Sequence, residues 1–415
     1  MVYIARVADS ELANRLGRSG AVLVEGAKGC GKTEMATRAA ASWVRVDTDP
    51  DVPALMEIDP SRILDGAVPR LIDEWQWQPD LWNHIRRAVD DRKAAGQFIL
   101  TGSSTPEASV RRHSGAGRFS VMRLRPMSLW ELGLSTGEVS WQAIREGGSA
   151  AAAVGALGVD EWAEVIAAGG WPAMARRGAA EAREYVLDYL DLLAEADMSA
   201  ADQVRRDPVR VRRLLASIGR NTATTATIAT LTADTAGSDS RISRDTVSAY
   251  LAALNRLMIA EDLPAWTTAL RDSATLRKAP KRHLVDPSLA AGAMGATPAK
   301  LSREPKTLGN LFESLVIRDL RVYCAAARGE LFHHRDSAGR EIDAIVAYPD
   351  GWVACEVKLG AGAVEAAAQN LKAVVSKIDT QTVGPPDALV IVTGTGPGYR
   401  RRDGVHVIPA SALKP

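Results

Sequence analysis

The sequence has few cysteines and lacks a long apolar segment. Its three cysteines, Cys30, Cys324 and Cys355, are far apart and include no Cys-x-x-Cys pair, which argues against a disulfide framework or a zinc site and suits a reducing compartment. No apolar run approaches the roughly 20 residues of a membrane helix, and the N-terminus lacks the pattern of a signal peptide. We therefore expect a cytoplasmic protein without a membrane partner.

The sequence also lacks an excess of charge of either sign. Lys and Arg number 51 and Asp and Glu number 50, which leaves a net charge of +1. Any contact with nucleic acid would therefore need a local basic patch, because the chain as a whole has no positive field. At 415 residues the chain is too long for one ordinary core, and about two to four domains are expected.

The first 125 residues alternate short apolar runs with helical stretches such as Asp80 to Lys93. The predicted strands are Ala21 to Glu25, Trp43 to Asp47, Arg70 to Asp73, Gln97 to Thr101 and Ser120 to Leu124. This alternation is typical of an α/β domain in which helices cover a parallel sheet.

A glycine-rich loop follows the first predicted strand and precedes a predicted helix. It fits the pattern GxxxxGK[ST], in which glycine backbone N–H groups surround phosphate at a helix N-terminus. The predicted nucleotide-binding residues are Gly26, Ala27, Lys28, Gly29, Cys30, Gly31, Lys32, Thr33 and Glu34. Lys32 should reach the β- and γ-phosphates and Thr33 should bind Mg²⁺. The motif therefore predicts a P-loop NTPase that uses ATP and Mg²⁺.

Two adjacent acids end the strand Arg70 to Asp73. Asp73 is predicted to hold Mg²⁺, and Glu74 to polarise the attacking water. Alone, this pair would equally suit a solvated turn, and the P-loop upstream favours the catalytic interpretation. Further along, Thr101 is the candidate for positioning the water. Arg118 is the candidate for stabilising γ-phosphate charge in its own site or in a neighbour's, and a solvated surface is the alternative.

The residues after the predicted sheet suggest three further regions. Residues 126–205 read as a helical lid, with a capping box from Ser128 to Glu131, and complete an ATPase region spanning residues 1–205. Residues 206–295 read as three helices and a strand, the order of a winged helix. The arginines that could contact DNA phosphates there are Arg210, Arg212, Arg213, Arg220, Arg241, Arg244 and Arg256. A connector or protein-binding module is the alternative.

Residues 296–415 again mix helices and strands and carry a set of charged residues. Glu356 and Lys358 are two apart on a predicted strand, so both side chains lie on one face. Asp343 ends a preceding strand-like run, and Glu313 lies on a helix upstream. This set resembles the PD-(D/E)XK nuclease superfamily, which implies that Glu313, Asp343 and Glu356 hold divalent cations and that Lys358 polarises the nucleophile. Gln369 matches a supporting position of that superfamily.

Nearly the whole chain resembles a bacterial and archaeal family of AAA-type ATPases whose C-terminal half is a domain of uncharacterised function. The motifs that carry the resemblance are GAKGCGKT, RLIDEWQ, FILTGSS, GRFSVMRLRPMSLWEL, GGWP, GNLFESLV and HRDSAGREIDAIV followed by ACEVK. The resemblance implies ATP binding, and it implies that residues Tyr3 to Arg6 border the base.

These patterns leave three functions open. The leading hypothesis is an ATP-hydrolysing AAA-type protein whose nuclease-like domain acts on or senses nucleic acid, with DNA expected before RNA. The second is a nucleotide switch that controls a protein partner, or a homo-oligomer, with an inert nuclease fold. The third is a DNA-binding regulator that uses the winged helix.

Overall fold

A computed structural model describes residues 3–103, 114–155, 157–237, 242–267, 279–336 and 338–415. Its helices are α1 Val7–Leu16, α2 Lys32–Ala39, α3 Val52–Ile58, α4 Leu81–Arg92, α5 Trp141–Arg145, α6 Val159–Ala168, α7 Ala179–Leu192, α8 Met198–Ala200, α9 Pro208–Arg220, α10 Ile228–Ala236, α11 Arg244–Arg256, α12 Pro287–Ala293, α13 Pro298–Leu301, α14 Pro305–Cys324, α15 Val364–Val375 and α16 Thr380–Val383. Its strands are β1 Ala21–Glu25, β2 Ser42–Arg45, β3 Arg70–Asp73, β4 Phe98–Gly102, β5 Phe119–Arg123, β6 Val139–Ser140, β7 Glu330–Arg335, β8 Glu341–Tyr348, β9 Gly351–Lys358, β10 Ala388–Thr393, β11 Tyr399–Arg400, β12 His406–Pro409 and β13 Leu413–Lys414.

The N-terminal sheet has the order β2-β3-β4-β1-β5, and every pair in it is parallel. Along the interior strand β1, Ala21 and Leu23 join an apolar cluster on the face that α4 covers. Val22 and Val24 join a cluster with Met35 of α2 on the other face. Successive side chains of a strand point to opposite faces, so this apolar run buries both faces of the sheet. The parallel α/β prediction is confirmed.

Helices α6 to α14 contribute buried residues to one apolar cluster. Helix α12 packs against α6, α7 and α9, so helices from both sides of residue 205 lie together. The boundary expected at residues 205 and 206 therefore falls inside a largely helical region, residues 159–301, which we call the helical body. Within it, α9, α10 and α11 are followed by antiparallel bridges that join Ala260 to Leu284 and Leu263 to Lys281. This is the element order of the predicted winged helix, which stays a prediction.

The C-terminal sheet is mixed, with the order β11-β12-β10-β9-β8-β7. Strands β7, β8 and β9 form an antiparallel meander, and β10 and β12 continue from β9 in parallel. Helix α14 covers one face of the meander, and α15 covers the other face along β9 and β10. Both faces of the central strands are consequently buried.

Residues 128–150 pack against the C-terminal domain. Strand β6 pairs with β13 at the end of the chain. The indole Nε1 of the buried Trp141 donates to the Tyr348 hydroxyl at 2.9 Å. The Leu129 backbone N–H donates to Asp319 of α14 at 3.0 Å. The first part of the expected lid at 126–205 is thus tied to the far end of the chain, because its apolar residues are buried there.

A buried ion-pair network joins these regions. Arg318 of α14 lies 2.8 Å from Asp286 and 2.7 Å from Asp319, and all three side chains are almost fully buried. Asp286 also accepts from the backbone N–H groups of Gly170 and Ser288 at 3.0 and 2.9 Å. Burial alone would lower the pKa of Arg318, but the two carboxylates raise it above its ordinary value.

Replacing Asp286 by Ala should destabilise the protein strongly. The change leaves the Arg318 charge buried with half of its compensation, a defect that costs about 3–5 kcal/mol. Urea unfolding, monitored by tryptophan fluorescence, would measure the loss in the free energy of unfolding. Asp379→Ala is the matched control, since Asp379 accepts from the N–H of the second following residue in the same way but is exposed. It should lose only about 1 kcal/mol. Equal losses in the two variants would contradict the role given to the network.

Candidate nucleotide-binding site

The glycine-rich loop connects the end of β1 to the start of α2, as the sequence predicts. Gly29 and Gly31 have φ values of 74° and 97°, in the left-handed region that glycine adopts without strain. A Cβ atom on Gly26 would lie 2.2 Å from the Leu124 carbonyl oxygen. The loop therefore needs glycine for its conformation and for its close approach to the neighbouring chain.

Lys32 and Thr33 begin helix α2 at the mouth of this loop. The buried Lys32 ammonium donates to the carbonyl oxygens of Gly26 and Ala27 at 2.9 and 3.0 Å. The Thr33 hydroxyl donates to Asp73 Oδ1 at 2.9 Å. The hydroxyl and carboxylate predicted to hold Mg²⁺ are therefore adjacent, and this donor set fits a hard divalent cation.

Thr101 supports Asp73 and does not face the cavity. Its side chain is fully buried, donates to Asp73 and accepts the Glu74 backbone N–H at 3.3 Å. Ser103 lines the cavity, and its hydroxyl donates to Glu74 Oε2 at 3.3 Å. The strand-end hydroxyl beside the predicted base is therefore that of Ser103. The choice of Thr101 missed it because the strand continues one residue further, to Gly102.

Glu74 lies directly after β3 and lines the same cavity as Lys32 and Thr33. Its φ of 54° is in the left-handed region, which costs a non-glycine residue about 1–3 kcal/mol and is found mainly at functional sites. The Gln76 amide donates to its carboxylate, so two neighbours orient this side chain. The position suits the predicted role of polarising water.

Arg118 lies at the edge of the sheet formed by the amino-terminal ends of its strands, opposite the edge that carries the P-loop. Its carbonyl oxygen accepts from the N–H of Ala21, where β1 begins, whereas the P-loop starts after β1 ends. Five residues at about 3.3 Å each separate these two edges. The guanidinium is paired with Asp90 at 2.8 Å. The structure therefore does not bring Arg118 to the site of its own chain, and a role in a neighbouring subunit stays a prediction.

A cavity of about 1460 Å³ opens in front of the P-loop, which is ample for a nucleotide. Tyr3, Ile4 and Arg6 form part of its wall, where the family resemblance placed them, although contact with a base stays a prediction. The sequence interpretation missed the opposite wall. Its residues come from the helical body and include Pro172, Ala173, Arg176, Arg177, Asp197 and Gln203.

Arg6 makes specific contacts beside the P-loop that the sequence analysis did not identify. Its guanidinium donates to the Cys30 carbonyl of the P-loop at 2.9 Å, to the Arg125 carbonyl at 2.7 Å and to Glu131 at 2.9 Å. The whole side chain is buried. A lone arginine ahead of the first helix has no sequence signal for this role, because its three partners lie 24 to 125 residues away.

The helical body also touches the P-loop directly. The Lys28 ammonium lies 2.6 Å from Asp197, and the Tyr189 hydroxyl donates to the Lys28 carbonyl at 3.3 Å. Asp197 ends a π-helical turn, Leu193–Asp197, a distortion that occurs frequently at functional sites. We therefore expect the Asp197 carboxylate to compete with a bound phosphate for the Lys28 ammonium.

Replacing Asp197 by Asn should tighten ATP binding, because it removes a negative charge beside the phosphate site and frees Lys28. A partly exposed ion pair is worth up to about 1 kcal/mol, so Kd should fall by roughly threefold to fivefold. Calorimetric titration with ATP and Mg²⁺ would measure the change. Asp188→Asn, an exposed acid of α7, is the control. Unchanged or weaker binding in Asp197→Asn would refute the competition.

The C-terminal acids also converge, but they surround a lysine. The buried Lys281 ammonium lies 2.7 Å from Glu313 and 3.0 Å from Asp343. Lys358 lies 3.2 Å from Asp343 and 3.1 Å from Glu356. Burial and the nearby Asp343 charge raise the pKa of Glu313 to about 8, even though Lys281 opposes the shift. Burial, and after it the nearby Asp343 charge, also raises the pKa of Glu356 well above its ordinary value.

This arrangement does not fit the predicted metal site. The superfamily resemblance implied Glu313, Asp343 and Glu356 as ligands, but in the structure the position between Glu313 and Asp343 holds the Lys281 ammonium. Among the residues that the structure describes, no group of three or more His, Cys, Asp and Glu side chains could hold a metal ion. The supporting residue also differs. Asn370 donates to Glu356 at 2.7 Å, whereas Gln369 is exposed and donates to Glu365.

The arginines proposed for DNA contacts are mostly engaged within the protein. Arg212 pairs with Asp191 and Glu195 at 2.9 and 2.8 Å, and Arg256 pairs with Asp202. Arg220 lies 3.8 Å from Asp234. Arg241 lies outside the described residues. These pairs reduce the positive charge that the middle region could offer to phosphates, and DNA binding there stays a prediction.

Comparison with known protein families assigns the N-terminal region. Residues 18–133 match the family described as AAA domain, and this range contains the P-loop, Asp73 and Glu74. The N-terminal region is an AAA-type P-loop ATPase domain. Such a domain implies a nucleotide and usually Mg²⁺. Residues 159–300 and 308–413 match two families described as domains of unknown function, DUF8612 and DUF4143, neither of which names a nuclease or a winged helix.

The chain is also similar to two uncharacterized proteins and to a solved structure. Two uncharacterized proteins, Rv2008c of Mycobacterium tuberculosis and Mb2031c of Mycobacterium bovis, are each 23% identical over 351 residues, which cover 83% of this chain and 72% of theirs. A Walker-type ATPase of Pyrococcus abyssi has 12% identity and a TM-score of 0.43, over 70% of this chain and 96% of that one. In the part of the chain that the structure describes, no helix has the length and apolar character needed to cross a membrane.

Proposed function

We propose that the chain hydrolyses ATP in the cavity between its AAA domain and the helical body. The observation that carries this proposal is the contact of Thr33 with Asp73, beside Glu74, at the mouth of the P-loop. These are the three side chains that Mg²⁺ coordination and water activation require. They come from the start of helix α2 and the end of strand β3, which meet at the same edge of the sheet.

Each residue has a separate task in this proposal. The P-loop N–H groups and the α2 N-terminus bind the phosphates, and Lys32 leaves the carbonyls of Gly26 and Ala27 to contact them. Thr33 and Asp73 hold Mg²⁺, which neutralises phosphate charge when it is bound. Glu74, oriented by Gln76 and Ser103, accepts a proton from the attacking water.

ATP turnover with Mg²⁺ should be lost in both Lys32→Ala and Glu74→Gln. Glu74→Gln should still bind ATP, because it removes only the proton acceptor, and the turnover rate should fall roughly 100-fold. A phosphate-release assay with and without DNA would measure the rates. Lys93→Ala and Glu57→Gln are the controls, since both side chains are exposed and lie outside the cavity. Full turnover in Glu74→Gln would remove that residue from the mechanism.

A second proposal is that nucleotide binding acts as a switch on the C-terminal domain. The support is a continuous series of contacts. Arg6 joins the P-loop to Glu131, and in the same turn Leu129 donates to Asp319 of α14. A change at the P-loop would therefore reach α14 through buried hydrogen bonds, and a partner protein or a second copy could respond to it.

The switch predicts that an ATP analogue alters hydrogen exchange in residues 128–150 and in α14. Glu131→Gln should reduce that response by weakening the charged contact with Arg6, while leaving analogue binding within about threefold. Mass spectrometry would measure the deuterium uptake of residues 128–150 and of α14 with and without the analogue. Glu138→Gln, an exposed neighbour, is the control. A response confined to the AAA domain in the wild-type protein would contradict the switch.

Nucleic acid enters the proposal through the C-terminal fold. A helix carrying Glu313, a strand carrying Asp343 and the next strand carrying Glu356 and Lys358 converge at one end of a mixed sheet. This supports a PD-(D/E)XK-like domain that senses DNA. The turnover assay with DNA tests that idea. If DNA raised the rate of ATP turnover, the C-terminal domain would be coupled to hydrolysis at the P-loop.

A further inference from the structure

The carboxylate cluster of the C-terminal domain contains its own cation. The Lys281 side chain is 2% exposed, and its ammonium donates to Glu313 Oε1 at 2.7 Å and to Asp343 Oδ1 at 3.0 Å. A third carboxylate, that of Glu341, lies 3.8 Å away. One ammonium therefore sits among three acids from α14 and β8.

The remaining oxygens of Asp343 and Glu356 also have donors. Asp343 Oδ2 accepts from the Val357 N–H at 3.0 Å and from Lys358 at 3.2 Å. The two oxygens of Glu356 accept from Asn370 and Lys358 at 2.7 and 3.1 Å. A divalent cation binds carboxylate oxygens at about 2.0–2.6 Å, so it would have to displace the ammonium and compete with these donors.

Lys281 comes from outside the region that carries the acids. It belongs to the hairpin of the helical body, where its backbone exchanges two hydrogen bonds of 2.9 Å with Leu263. The same hairpin is fixed to the C-terminal sheet, because Trp266 and His333 are joined by a backbone hydrogen bond of 2.7 Å. The ammonium is therefore held at the acids by backbone contacts on both sides.

We propose that Lys281 is an internal cation that occupies the metal position of the C-terminal domain. The wild-type protein then binds no divalent cation at Asp343 and performs no metal-dependent phosphodiester cleavage there. Removing the ammonium leaves the buried carboxylates compensated by Lys358 alone, and a metal ion can take the place of the ammonium. This inference goes beyond ATP hydrolysis and concerns a different domain.

The test is a titration of the full-length protein with Mn²⁺ in the absence of nucleotide. Electron paramagnetic resonance would measure the free Mn²⁺, and thermal unfolding would give the melting temperature. Lys281→Ala should gain one Mn²⁺ site with an affinity about tenfold or more above any wild-type binding. Mn²⁺ should also raise its melting temperature. Adding Asp343→Asn should abolish both gains. Lys377→Ala is the matched control, since this lysine of the C-terminal domain is exposed and pairs with Asp336 at 3.4 Å.

Two results would overturn the inference. One is a folded Lys281→Ala variant that gains no Mn²⁺ site. The other is a wild-type site, or Mn²⁺-dependent DNA cleavage, that Asp343→Asn removes. The second comparison needs only the wild-type protein and Asp343→Asn, so it decides the matter even where Lys281→Ala fails to fold. Neither readout uses ATP, so a failure of the proposed ATPase would leave the result intact.

Discussion

The buried charge of Arg318 constrains the whole architecture. A guanidinium without access to water is tolerated only when carboxylates and hydrogen bonds compensate it, and Arg318 obtains this compensation from Asp286 and Asp319. Asp286 begins α12 in the helical body, whereas Asp319 belongs to α14. Neither region can move away from the other without exposing an unpaired charge to an apolar core. The ion pairs therefore fix the relative position of the middle and C-terminal regions more strictly than apolar packing alone.

The same junction reaches the nucleotide site through the backbone. Asp286 accepts from Gly170, next to the segment that lines the cavity with Pro172. Asp319 accepts from Leu129, and the neighbouring Glu131 accepts from Arg6 beneath the P-loop. Two separate routes thus connect the phosphate site with α14. Both are made of charged hydrogen bonds, which are more directional than apolar contacts, and this favours discrete states over gradual adjustment.

The sequence was sufficient for features that are local in the chain. The alternation of short apolar runs with helical stretches predicted β1 and β3 with their observed bounds. The glycines of the P-loop motif predicted a loop that needs positive φ values, as Gly29 and Gly31 show. It failed where a side chain finds its partner through tertiary structure. Thr101 and Ser103 are both hydroxyl residues at one strand end, and only the observed length of β4 shows which of them faces the cavity.

Lys281 marks the limit of motif reasoning most clearly. Its acidic partners lie 32 and 62 residues away, and it belongs to a basic stretch, Lys281 to His283, that composition alone assigns to a solvated surface. The motif of Glu313, Asp343, Glu356 and Lys358 describes where negative charge collects, but it does not specify which cation neutralises that charge. A lysine supplies three donors and one charge on a covalent tether, so it stabilises the cluster at any metal concentration. The same set of acids can therefore serve as a structural element without a metal ion.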